Sequence, residues 1–125
     1  MGTEIKFKLD EFFAALADRT RLRLINLMRN GEVCVCFFAE TLGTNNPKIS
    51  RHLSYLKRAN LVTARRDGKW MHYSLNPPND EQGSELFSTL LKSFESDEEM
   101  QSDLKSLGDV CCSPRNQFAA IIPRF

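Results

Sequence analysis

No run of apolar residues in this chain is long enough to cross a bilayer, and Glu4, Asp10 and Glu11 break up the first thirteen residues, so no signal segment is read there. A cytoplasmic protein without membrane attachment is expected. Glycine is sparse, six in 125 residues, and none falls in a phosphate-cradling loop. There is no spaced carboxylate pair in a plausible cleft, and periodicity sets no histidine beside a cysteine, so an enzyme is not expected. Net charge is nearly absent as well, at +1, which argues against general polycation binding to membranes or polyanions. Internal repeats and low-complexity linkers are missing.

What charge there is lies unevenly. Residues 1–45 carry six basic and six acidic side chains, 46–75 carry seven and one, and 76–125 carry four and nine. The middle third is a basic island, the footprint of a phosphate backbone. The four cysteines come in two close pairs, Cys34/Cys36 and Cys111/Cys112. In a reducing compartment such pairs read as metal binding or redox sensing before structural disulfides.

Apolar periodicity predicts a mainly α fold with a β-hairpin wing. Leu9, Phe12, Phe13 and Leu16 recur at helical spacing; a second helix follows Thr20 as its N-cap and stops at Asn30-Gly31. Phe38, Ala39 and Leu42 make a short third helix closed by Gly43, and Thr44 to Asn46 form a turn. Pro47 then opens a fourth helix that runs to about Ala59. Its inward stripe is Ile49, Leu53 and Leu56, which leaves Lys48, Ser50, Arg51, His52, Ser54 and Tyr55 as the outward, DNA-reading side. Around Asp67-Gly68, read as a type I′ turn, Leu61–Arg66 and Lys69–Leu75 form a hairpin with Arg65, Arg66 and Lys69 at its tip. Trp70, Met71 and Tyr73 are read as the wing's buried residues, and His52 and His72 as phosphate contacts or packing residues rather than metal ligands. A fifth helix through Leu86, Phe87, Leu90, Leu91 and Phe94 has apolar residues over too wide an arc for one small domain, so it is assigned, with the Phe12/Phe13 helix, to a homodimer interface. Residues 1–100 are thus a DNA-binding and dimerisation domain, and 101–125 a tail carrying Cys111-Cys112. The dimer's two reader helices would enter successive major grooves of an operator about 34 to 36 Å apart.

Three stretches, Leu16-Ala17-Asp18-Arg19-Thr20-Arg21-Leu22, Cys34-Val35-Cys36, and Pro47-Lys48-Ile49-Ser50-Arg51-His52-Leu53 with Tyr55-Leu56, together resemble the ArsR/SmtB family of winged helix-turn-helix repressors, most closely its arsenic-sensing branch. The resemblance covers roughly Leu9 to Leu75. It implies a dimeric repressor that binds double-stranded operator DNA when empty and releases it when As(III) or Sb(III) binds cysteine thiolates, with no cofactor required. Soft, thiophilic As(III) suits such a ligand set. The branch's pattern is Cys-x-Cys-x-x-Cys, and Ala39 stands at its third position here. Cys111 or Cys112 could supply the missing thiolate, or the tail pair could form a separate site for a methylated trivalent arsenical, or be incidental. Zinc-sensing relatives use Asp/His sites on the fifth helix, where this chain has Asp80, Glu81 and Glu85 without histidine. Cadmium or lead at the cysteines, or oxidant sensing through them, are the alternatives.

Residues two apart on a regular helix project roughly 200° from each other, so Cys34 and Cys36 reach one ion only if the backbone between them is not helical. The switch expected on this basis is a hypothesis: the first turn of the third helix is wound on DNA and pulled open by arsenic.

Overall fold

A computed structural model describes residues 8–111. Its elements run α1 (Leu9–Leu16), α2 (Arg19–Leu27), β1 (Val33–Cys34), α3 (Val35–Leu42), α4 (Asn46–Arg58), β2 (Val62–Asp67), β3 (Trp70–Leu75), α5 (Glu81–Ser93), a short 3₁₀ turn (Phe94–Ser96) and α6 (Glu98–Cys111). The three strands form one antiparallel sheet in the order β1-β3-β2. This is a winged helix-turn-helix.

Local chemistry sets the boundaries. Asp18, not the expected Thr20, caps α2: its carboxylate accepts from the Arg21 N–H at 3.1 Å. Gly43 ends α3 with φ of 67°, a left-handed conformation that costs glycine little. Asn45 then caps α4 by accepting from the Lys48 N–H, and Pro47 lies in its first turn, where a missing donor is harmless.

The core draws on α1 through α6 and on the sheet. Leu24, Ile25, Phe38, Ile49, Leu53 and Leu56 are wholly buried. Met100 of α6 is wholly buried too, and α6 packs on α2 and α3. The boundary drawn at residue 100 therefore falls inside a helix that belongs to the fold. Four side chains along α2 and just beyond it hold the α5–α6 region: Arg19 on Asp97 and Glu99, Arg23 on Asp103, Asn26 on the Met100 carbonyl, and Arg29 on the Leu91 carbonyl. Sequence periodicity missed α6, whose apolar positions are few and whose acidic residues look like a solvated tail.

The hairpin turn differs from expectation by one residue. Asp67 pairs with Trp70, so the two-residue loop is Gly68-Lys69. Gly68 has φ of 65°, and Lys69 is not among the positive-φ residues. Positive φ at the first loop position alone is the sign pattern of a type II′ turn, not type I′. Trp70, expected inside the wing, lies at the hairpin tip and is 39% exposed, while His72, two residues on along the same face of β3, is buried. Met71 and Tyr73 are half-buried.

Candidate DNA-reading face and thiol site

On α4 the inward and outward faces separate as the periodicity requires. Lys48, Ser50, Arg51 and Ser54 are exposed, whereas His52 and Tyr55 are half-buried. The two half-buried residues face the protein as much as solvent. Tyr55 lies under the Arg21 guanidinium, 4.0 Å from its ring centroid, with Arg58 at 5.6 Å. His52 Nδ1 is 3.4 Å from an Arg21 nitrogen and 3.9 Å from the Asp18 carboxylate. Arg58 and Lys57, both exposed at the end of α4, extend the basic face beyond the residues singled out from sequence. Their signal was present: Arg58 stands three residues after Tyr55, on the same side of the helix.

In the wing, Arg66 and Lys69 are exposed, and Lys69 Nζ lies 5.7 Å from the Trp70 ring centroid. Arg65 is engaged otherwise. Its guanidinium donates two hydrogen bonds to the Glu32 carboxylate, at 2.7 and 2.9 Å. Those bonds hold the Glu32 carboxyl below the usual carboxylate range and push Arg65 up. Glu32 immediately precedes β1, so the pair ties the wing to the segment carrying the thiols.

The Cys34 and Cys36 sulfurs stand 3.2 Å apart. Cys34 is the last residue of β1 and the N-cap of α3, with φ −70° and ψ 139°. The backbone at Cys34 is thus already extended, and bringing the sulfurs together requires no unwinding of α3. Cys34 is buried and Cys36 half-buried. Two soft sulfurs at this separation, beside the positive end of a helix, match a soft ion that favours anionic thiolate ligands. Ala39, at the third-cysteine position of the resemblance, is buried in the core one turn along α3 from Cys36. Among the described residues no group of three His, Cys, Asp or Glu side chains is close enough to hold a metal ion. Cys111 ends α6, and Cys112 lies outside the described residues.

Cys34 pairs with His72 across β1 and β3, and His72 pairs with Arg65 across β3 and β2. Directly opposed residues share a face of the sheet. The thiol site, a buried histidine and a basic wing residue therefore form one rung. Among the described residues no helix is long and apolar enough to cross a membrane.

Comparison with known proteins agrees with this arrangement. The profile described as "Bacterial regulatory protein, arsR family" matches residues 18–64. The arsenical resistance operon repressor of Escherichia coli K12 is 46% identical over 68 residues, 54% of this chain and 58% of that protein. The protein of the same name from Bacillus subtilis 168 is 38% identical over 87 residues, 69% of this chain and 80% of that protein. The arsenic resistance regulator ArsR1 of Pseudomonas putida is 47% identical over 66 residues, 52% of each chain. The chain thus spans between half and three-fifths of the Escherichia coli and Pseudomonas relatives. Among solved structures, a homodimeric winged helix-turn-helix DNA-binding domain from Mycobacterium bovis superposes with a TM-score of 0.59 at 29% identity, covering 71% of this chain and 80% of that one. Shared fold, matched profile and the extent of the Bacillus alignment lead to one conclusion: this chain belongs to the arsR family of bacterial regulatory proteins.

Proposed function

We propose that this protein is an arsenic- and antimony(III)-responsive transcriptional repressor that binds operator DNA as a homodimer and is released when the trivalent ion binds thiolates. The observation that carries the reading is the 3.2 Å sulfur pair of Cys34 and Cys36, set on a strand of the wing sheet and at the start of the helix preceding the reader. Lys48, Ser50 and Arg51 form the reading face, with Arg the best side chain for bidentate contact to guanine. His52 and Tyr55 stand beside that face, and Arg65, Arg66 and Lys69 line the wing. Leu9, Phe13 and Leu86, exposed at 54%, 50% and 36%, supply the apolar surface for the second protomer.

The third ligand is proposed to come from Cys111 or Cys112. Support for Cys111 is positional: α6 packs on α3, and Cys111 is its last residue. The ion bridges thiolates and so fixes the relative position of the segments that carry them. Cys34 lies in β1, and β1 pairs with β3, so constraint at the thiols passes into the wing as well as into α3. A coupling of ~1 to 3 kcal/mol between the sites weakens operator binding roughly 5- to 150-fold.

Fluorescence anisotropy on promoter DNA, under a phosphine reductant, with arsenite, methylarsenite, cadmium or lead added separately, tests the reading. Release by a trivalent arsenical supports it. Tight binding indifferent to all four overturns it.

A further inference from the structure

Arg21 lies in the first turn of α2, outside the reader helix, yet it touches two side chains of that helix and the end of α1 at once. Its Nε donates to the Ala15 carbonyl at 2.7 Å, and one terminal nitrogen lies 3.4 Å from the Ala14 carbonyl, which also accepts the Ala17 N–H, so the guanidinium caps the last turn of α1. The other terminal nitrogen lies 3.4 Å from His52 Nδ1. The face of the same guanidinium covers the Tyr55 ring at 4.0 Å. Edge and face of one rigid planar group are thus committed to two different helices.

We infer that Arg21 is a positioning residue for operator recognition: it sets the rotation of α4 about its own axis by clamping His52 and Tyr55 to the C-terminal end of α1. This rests on the proposal that α4 reads the operator. The consequence is geometric. His52 and Tyr55 lie one and four residues after Arg51, so a turn of α4 about its axis moves Arg51 relative to base edges while leaving longer-range attraction to phosphates nearly unchanged. Lysine cannot substitute, because it has neither the planar face nor the fork of donors. Since α1 also bears exposed Leu9 and Phe13, the clamp joins the reader to the helix assigned to the second protomer.

The test compares operator DNA with unrelated duplex of equal length for the wild type, Arg21→Met, Arg21→Lys and Tyr55→Leu, over a range of salt, with thermal unfolding of each. Failure of the wild type to prefer its operator refutes the reader assignment itself, an outcome distinct from failure of the clamp. The clamp predicts that every variant loses preference for the operator by about two- to thirty-fold, the range of one cation–π contact expressed as a ratio of binding constants. In Arg21→Met and Arg21→Lys affinity for unrelated DNA and the salt slope stay at wild-type values, and Arg21→Met combined with Tyr55→Leu loses no more operator preference than the poorer single variant. If Arg21 touches phosphate, its removal lowers the slope by about 0.9 and weakens both DNAs alike, which overturns the clamp. An unchanged operator preference overturns it too, even where the thermal midpoint falls. Should Arg21→Met not fold, Arg21→Lys and Tyr55→Leu carry the same comparison.

Discussion

His72 sits directly opposite Cys34 in the ladder that joins β1 to the wing, fully buried, with neither ring nitrogen hydrogen-bonded to any described residue. A buried polar atom left unpaired costs about 1 to 3 kcal/mol, so the residue is poorly chosen for stability alone. His72→Leu is therefore expected to hold or raise the urea midpoint. Its operator binding should persist while arsenite-driven release shrinks, because the rung from Cys34 to Arg65 loses its middle member. A clear loss of stability would show instead that the imidazole finds partners in solution.

The thiols themselves give a sharper forecast. Serine at Cys34 or at Cys36 should leave operator affinity near wild type and abolish release by arsenite in the anisotropy assay. Serine at Cys111 and at Cys112, made separately, identifies the third ligand by which of the two weakens arsenite binding. If neither does, the site is a two-thiolate one.

Glu32 holds Arg65, one of the wing residues proposed to meet DNA, through two hydrogen bonds. Freeing Arg65 in Glu32→Gln should tighten operator binding at low salt and steepen the dependence of log K on log salt by about 0.9, one phosphate contact. The same pair has an acid signature. Glu32 is held below its ordinary value of 4.5, so the contact stabilises the fold above that pH and the contribution is lost as pH falls through the lowered value. The acid limb of the stability curve should be shallower in Glu32→Gln, read by circular dichroism across the acid range.

Asp103 is the buried partner of Arg23, whose donor nitrogens lie 2.7 and 2.9 Å away. Asp103→Ala removes both of these hydrogen bonds from the half-buried Arg23 guanidinium and is expected to destabilise by about 2 kcal/mol, lowering the thermal midpoint by several degrees. Operator affinity measured well below the transition should change little. A small thermal effect would mean that Glu99, 3.5 Å from Arg23, replaces the lost carboxylate.

Much of the fold could be read in advance because its signals are local. The apolar stripe Ile49, Leu53, Leu56, the break at Gly43 and the alternation after Leu61 each depend on residues a few positions apart. The exposure of Lys48, Ser50 and Arg51 follows from that stripe alone. The hairpin was legible as a hairpin but not in register, since Asp67-Gly68 and Gly68-Lys69 are both acceptable turns. Trp70 and His72 share one face of β3, so alternation alone does not tell them apart: Trp70 is exposed at the tip, and His72 is buried beside Cys34 where the strand reaches the core.

By itself the sequence determined α1 to α5 and the wing hairpin, the exposed basic side of α4 and the close spacing of two soft sulfurs at Cys34 and Cys36, all set by periodicity and side-chain chemistry within one turn or strand. Tertiary structure alone decided that Cys34 ends a strand of the wing, that Arg65 is held by Glu32, that α6 is part of the core, and that Arg21 grips Tyr55. Each of those joins residues more than thirty positions apart in the chain, or depends on a register that such contacts select. Local preferences do not encode which distant partners close packing will bring together.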